Sequence, residues 1–267
     1  MISKELYDKI KVKYGDVASW AVWEEPGIKP KSNMGYHNIF DLNKNPSLLK
    51  TLKTTVVMVG LNFSRPLEPT EPFKNFHDLN PHANDFKIRY AFLNTDFYGA
   101  YMTDVIKKLE MKISRDVKTY VKDNPSVIKD NILLFQNELS DIEVNRPIIL
   151  AFGRDAYNIL HENLSINEYS ILIKLTHYSH QISKEKYKDE VLRQINDAMN
   201  EAQRKAVDDS YTDKDGNWVM DDSDMELKPM SDEQYAKEIA EIDKEEARRA
   251  ALKEGGAGSG NFGSPST

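Results

Sequence analysis

The stretch TTVVMVGLNFSR, residues 54–65, constrains the chain more than any other. Val56, Val57, Met58 and Val59 form a continuous apolar run, mostly β-branched and closed by Gly60. A run of that length and makeup reads as a strand buried on both faces. Three further runs repeat the pattern at residues 98–105, 147–153 and 169–175. The stretches between them have helical character: a lysine-rich region from Val105 to about Asp123, an amphipathic segment at 126–140, and a segment at 154–164. A last helix, opened by Ser183 as N-cap with Lys186 at the usual capping-box position of Glu, runs to about Val207. Buried strands alternating with helices define an α/β fold around a four-stranded parallel sheet.

Three of these runs end in a polar switch. Gly60-Leu61-Asn62 closes the first, Thr103-Asp104 the second and Thr176-His177 the fourth. In open α/β sheets the carboxyl edge of the strands is where ligands bind, so Asn62, Asp104 and His177 are expected to converge there. Gly60, lacking a Cβ, lets a backbone amide approach a ligand. Asn62 both donates and accepts hydrogen bonds. Each residue also has a plain reading: Asn62 as turn chemistry, and Asp104 as N-cap of a helix over 105–111.

The remaining segments add less. Residues 2–14 predict a short surface helix, and 45–52 a helix leading into the first strand. Residues 20–41 read as an ordered loop packed on the body, with Trp20 and Trp23 as packing anchors and 31–35 as a polar pocket wall. Residues 63–97, rich in Pro, Asn, His and Phe, are too long for a plain connection and predict a functional or partly helical segment. His77 and His82 within it share no helical face and have no third ligand, so no metal is expected. The chain has no cysteine, which excludes disulfides and thiolate-held zinc or iron–sulfur groups and fits a reducing, cytoplasmic setting. No apolar stretch approaches the ~18 residues that span a bilayer, and the N-terminal residues lack a signal-peptide core. The net charge of −7 is unevenly spread: residues 1–200 carry 27 basic and 26 acidic side chains, residues 201–267 carry 9 and 17. The body, 1–207, is thus neutral. The tail, 208–267, is expected to be largely disordered apart from a helix near 231–253.

Four stretches, in chain order, resemble the uracil-DNA glycosylase superfamily. VVMVGLNFS is similar to the Gly-x-Asn-Pro-Gly motif of the mismatch-specific branch, with Asn62 at the water-positioning place. AYMTDVIK is similar to the Tyr-Ile-Thr-Asn-Val-Val-Lys stretch of the thermostable branch, whose Asn reads the base; Asp104 stands there. AFGRDAYNIL is similar to the family's strand-to-helix step, and THYSHQIS resembles its His-Pro-Ser motif, with His177 as the leaving-group histidine. The resemblance covers about residues 50–200. It implies a three-layer α/β/α domain that flips a modified or mismatched base out of single- or double-stranded DNA and hydrolyses its N-glycosidic bond without a cofactor. Asn62 and His177 are then catalytic. Gly60, Leu61, Phe63, Phe86 and Asp104 form the base pocket, and Ser64, Ser179, Lys184 and Lys186 meet nucleic acid.

The departures from the family pattern leave a second reading open. Phe63-Ser64 replaces Pro-Gly, Tyr178 replaces the Pro after the histidine, and without cysteine the thermostable branch's iron–sulfur cluster cannot form. An ionised Asp104 only accepts hydrogen bonds, so facing uracil O4 it leaves a clash of about 1–3 kcal/mol. An exocyclic amino group, or a protonated acid, suits that position better. Lys184, Lys186 and Lys188 equally fit a solvated helix face. The alternative is a non-catalytic nucleotide, nucleic-acid or protein-binding module, with the acidic tail as a protein contact or DNA mimic.

Overall fold

The computed structural model describes residues 1–62, 71–78, 83–107 and 114–210. Phe63, Ser64, His82, and the tail with the helix expected at 231–253 lie outside the described residues. The chain divides into two compact units, Met1–Ala206 and Val207–Thr267.

The first unit is an α/β domain. Its elements in chain order are α1 (Lys4–Tyr14), β1 (Ser19–Trp20), α2 (Leu48–Thr51), β2 (Lys53–Asn62), α3 (Phe86–Phe92), β3 (Ala100–Ile106), α4 (Ser114–Asp123), α5 (Pro125–Asp141), β4 (Ile148–Phe152), α6 (Arg154–Asn163) and β5 (Ile171–Leu175). The last helix, α7 (Lys184–Ser210), runs past the end of this unit. The strands lie in the order β1-β3-β2-β4-β5. The four expected strands are parallel: Val56–Val59 of β2 pair with Ile148–Ala151 of β4, and Gly60 pairs with Asp104 of β3.

Two expectations need correction. The sheet has five strands, because Ser19 and Trp20 pair antiparallel with Met102 and Tyr101 at the β3 edge. Trp20 supplies this pairing while its ring packs edge-on against Tyr101, 5.1 Å between centroids. Asp104 caps no helix. It lies inside β3, and Val105 and Ile106 continue that strand.

Alternation along the strands builds two cores, one on each face of the sheet. Val57, Val59 and Leu61 of β2, Tyr101 and Val105 of β3, and Ile149 and Ala151 of β4 pack with buried residues of α1, α4, α5 and α6. Val56 and Met58, Met102, Leu150 and Phe152, and Ile173 and Leu175 pack with Ile88 and Phe92 of α3 and Tyr187, Val191 and Ile195 of α7. Helix α1 starts at Ser3, whose hydroxyl accepts from the Leu6 amide at 3.0 Å. It turns Leu6, Tyr7 and Ile10 inward. Trp23 is also buried, and its indole N–H donates to the Phe76 carbonyl. Among the described residues no helix is long and apolar enough to cross a membrane.

Candidate functional site

The carboxyl edge of the sheet carries two polar corners on the α3/α7 face. The first lies at β2 and β3. Gly60 and Asn62 continue the alternation of Val56 and Met58, so they stand on that face. Gly60 sits opposite Asp104, and Asn62 opposite Ile106. Asp104 is 3% exposed. A Cβ on Gly60 would overlap the Asp104 Oδ1 and lie 3.4 Å from Phe76 Cε1. The space opened by this glycine is therefore filled by the Asp104 carboxyl itself, not left for a ligand. Leu61 does not join the group, because its side chain points into the core on the opposite face.

The carboxyl of Asp104 is held by a residue that sequence reasoning did not single out. Asn75 Nδ2 donates to Asp104 Oδ2 at 2.9 Å and to the Val17 carbonyl at 3.1 Å, while its Oδ1 accepts from the Phe76 amide at 3.1 Å. With its donors and acceptor all engaged, the amide orientation is set by its partners. Burial pushes the Asp104 carboxyl up to about 6; the Asn75 bond and the Lys107 ammonium pull it back, and Glu138 and Asp85 push further. Lys107 anchors the end of β3. Its Nζ lies 2.5 Å from Glu138 Oε2 and donates to the Asp104 carbonyl and the Thr103 hydroxyl. The Tyr101 hydroxyl donates to Glu138 Oε1 at 2.6 Å, and the Lys107 amide to Asn131 Oδ1. A buried charge is tolerated only with such pairing.

The second corner lies at β4 and β5, two strands from Asn62 or about 10 Å at ordinary strand spacing. Gly153 follows β4 with φ +90°, a conformation that favours glycine, and its amide donates to the Leu175 carbonyl at 2.8 Å. This turn brings the start of α6 against the loop after β5. The His177 ring packs on Gly153, with ring carbons 3.4–3.7 Å from where a Cβ would lie, and stacks on Tyr178 at 4.3 Å. The Ser179 amide donates to His177 Nδ1 at 3.1 Å, and the Ser179 hydroxyl lies 2.8 Å from the same atom. An Nδ1 that accepts from an amide carries no hydrogen, so the neutral ring bears its proton on Nε2. Burial pushes the imidazole down to about 4, with Asp155 pulling the other way. His177 is thus a neutral N–H donor at physiological pH.

The loop carrying His177 is fastened on both sides. Thr176 donates from its amide to Gln194 Oε1 at 2.9 Å and from its hydroxyl to Glu190 Oε1 at 2.5 Å. Gln194 Nε2 returns a bond to the Thr176 hydroxyl. From α3, Lys87 Nζ donates to the His180 carbonyl at 2.7 Å. His177 and Ser179 line a cleft of about 400 Å³ with Gly153, Arg154, Lys174, Thr176 and Gln194.

The other expected contacts are scattered along α3 and α7. Phe86 is half-buried, with the Lys31 ammonium 5.0 Å from its ring centroid. Residues 24–32 are held nearby by buried Arg89, which donates to the carbonyls of Glu24, Pro30 and Ser32. Lys184 lies over the Tyr90 ring at 4.3 Å and pairs with Glu185; Lys188 lies 5.7 Å from the same ring. Lys186 is exposed, and its amide donates to the N-cap Ser183 hydroxyl at 3.2 Å. His77 is a packing residue, tilted on Trp23 at 5.2 Å and edge-on to Phe40 at 5.1 Å. Among the described residues no three His, Asp or Glu side chains form a group able to hold a metal ion.

No protein family, curated protein or solved structure matches the chain. Besides Asn75, sequence reasoning passed over Arg154 and Lys174. Arg154 did leave a signal, as a cation placed directly after the glycine that ends a buried strand.

Proposed function

We propose that the chain is a DNA glycosylase-like N-glycosyl hydrolase on a three-layer α/β/α domain of the uracil-DNA glycosylase type, working in the cytoplasm on DNA. The observation that carries this reading is His177: a neutral Nε2–H donor, fixed by the Ser179 amide, beside an open cleft on the edge that also bears Asn62. In the reaction the target nucleotide leaves the stack and its base enters at the strand ends. Asn62 holds the attacking water. As the bond from C1′ to the base breaks, the sugar becomes oxocarbenium-like and the electron pair stays on the base. His177 Nε2–H donates to that negative charge, an effect of about 3–4 kcal/mol for one preorganised donor. Water then adds to C1′, and the proton it loses neutralises the released base anion by way of solvent.

The burial of Asp104 favours a second reading, a non-catalytic binding module, because a carboxyl packed on Gly60 and bonded by Asn75 is shut off from an incoming base. Single-turnover release of bases from a panel of modified single- and double-stranded oligonucleotides separates the two. Under the glycosylase reading, Asn62→Ala and His177→Ala each lower the rate by about 10²-fold with smaller changes in binding. Binding without release from any substrate leaves the module.

A further inference from the structure

We infer that the cleft beside His177 is a phosphate-binding site, with Arg154 and Lys174 as its cationic ligands. The charged side chains lining it are Arg154 and Lys174, and no carboxylate is among its lining residues. Neither cation has a carboxylate partner among the described residues; Lys174 has only the Tyr157 ring, 5.8 Å from its ammonium. The nearby acid Glu190 is engaged by the Thr176 hydroxyl at 2.5 Å, and Asp155 lies close enough to His177 to act on its charge but does not line the cleft. Thr176, Ser179 and His180 also line the wall; the Ser179 hydroxyl proton is turned to His177 Nδ1, so the uncharged donors left to a ligand are the His177 Nε2–H and the Gln194 amide.

Such a lining attracts an anion, and the kind of anion follows from charge and size. A planar Arg fork paired with a Lys point charge matches a phosphate, which offers several acceptor oxygens and more than one negative charge. A volume of about 400 Å³ exceeds a bare phosphate and leaves room for an attached sugar. The ligand class is therefore a sugar phosphate: a nucleotide, or the backbone of a nucleic acid. Its catalytic sense, anchoring the phosphate of the flipped nucleotide while His177 meets the base, rests on the function proposed above; the binding itself does not.

The test uses the full chain and two-dimensional NMR of the histidine rings. Inorganic phosphate, then deoxyuridine 5′-monophosphate, then a short single-stranded oligonucleotide are titrated at constant ionic strength. Each is expected to shift the His177 ring signals saturably, and bound phosphate to raise the His177 pKa. Arg154→Gln and Lys174→Gln should each weaken phosphate binding by about tenfold, and the double variant should abolish it at unchanged melting temperature, whereas Lys11→Gln on α1 should change nothing. Tighter binding of the mononucleotide or of the oligonucleotide identifies the source of the phosphate, and either supports the site. An unsaturable shift, an equal response to acetate, or undiminished affinity in the double variant overturns it. Phosphate binding lost in the double variant together with no base release in any assay keeps this inference and ends the glycosylase reading; base release with phosphate affinity unaffected does the reverse.

Discussion

The two corners of the carboxyl edge start from the same kind of residue, a titratable side chain just past or within an apolar strand, and end in opposite conditions. At β2 and β3, Asp104 is sealed: its carboxyl packs on Gly60, takes a bond from Asn75 and lies 3% exposed. At β4 and β5, His177 is half-open and borders a cleft. Burial acts on both in the direction of neutrality, pushing the acid up to about 6 and the base down to about 4. A polar strand end therefore marks a ligand-facing position only where the neighbouring strand end turns away and leaves room, as Gly153 does and Gly60 does not.

The two glycines give the largest expected contrast. Gly60→Ala puts a methyl into the Asp104 carboxyl and should destabilise the domain by about 3 kcal/mol or more, because backbone and a buried acid must both move. Gly153→Ala meets only ordinary contacts with His177, so its cost is the backbone conformation, φ +90° with ψ 168°, about 1–3 kcal/mol. Urea denaturation of both variants checks the order. Equal losses would erase the distinction between a filled corner and an open one.

Next in size is Asp104→Asn. The raised carboxyl pKa means the folded chain keeps a proton that the unfolded chain has released, so native stability falls as pH rises from about 4 to about 6 and then levels off. The asparagine variant lacks this loss. It should be more stable than the parent by up to about 2 kcal/mol at pH 8, with the gap closing below pH 4. Melting curves across that range read the effect, and parallel curves would contradict it.

The smallest effect concerns His177, which is only partly buried, so that solvent screens part of its shift. Its folded pKa lies below the ordinary value of 6.5, so the folded chain binds fewer protons than the unfolded one between about pH 4 and 6.5, and stability declines as pH falls through that window. His177→Gln should flatten part of the decline. Ring NMR should show the Nε2–H form throughout, and Ser179→Ala should preserve it because the donating amide remains. An Nδ1–H form in the parent would remove the donor role.

The strands flanking the site were legible because their apolar runs are continuous. PIILAFG and VVMVG admit no other reading, and β4 and β2 lie where those runs lie. That parallel strands bring Asn62, Asp104 and His177 toward the same end of the sheet was legible; that only His177 borders the cleft, with Asn62 two strands and Asp104 three strands away, was not. What escaped was anything that depends on partners distant in sequence. Asp104 looked like a helix cap because the polar pair Thr103-Asp104 breaks an apolar run. It remains in the strand because Asn75, 29 residues earlier, accommodates its carboxyl and Lys107 is neutralised by Glu138 on α5. β1 was unreadable because two residues, Ser19 and Trp20, carry no periodicity, and Trp20 had to be assigned to packing, a role it also fills.

Those two residues have a wider effect than their length suggests. Without them β3 would be the boundary of the sheet, presenting a row of unpaired amides and carbonyls along a fully buried, strongly apolar sequence, the kind of edge that recruits strands from other chains. The pairing of Ser19 with Met102 and Trp20 with Tyr101, extended by the Ala21 amide donating to the Ala100 carbonyl and the Gly99 amide to the Ala21 carbonyl, covers the first part of that edge with a segment that follows the N-terminal helix. The segment before the first long strand thus takes up hydrogen-bonding groups of β3 that would otherwise be open to a strand from another chain.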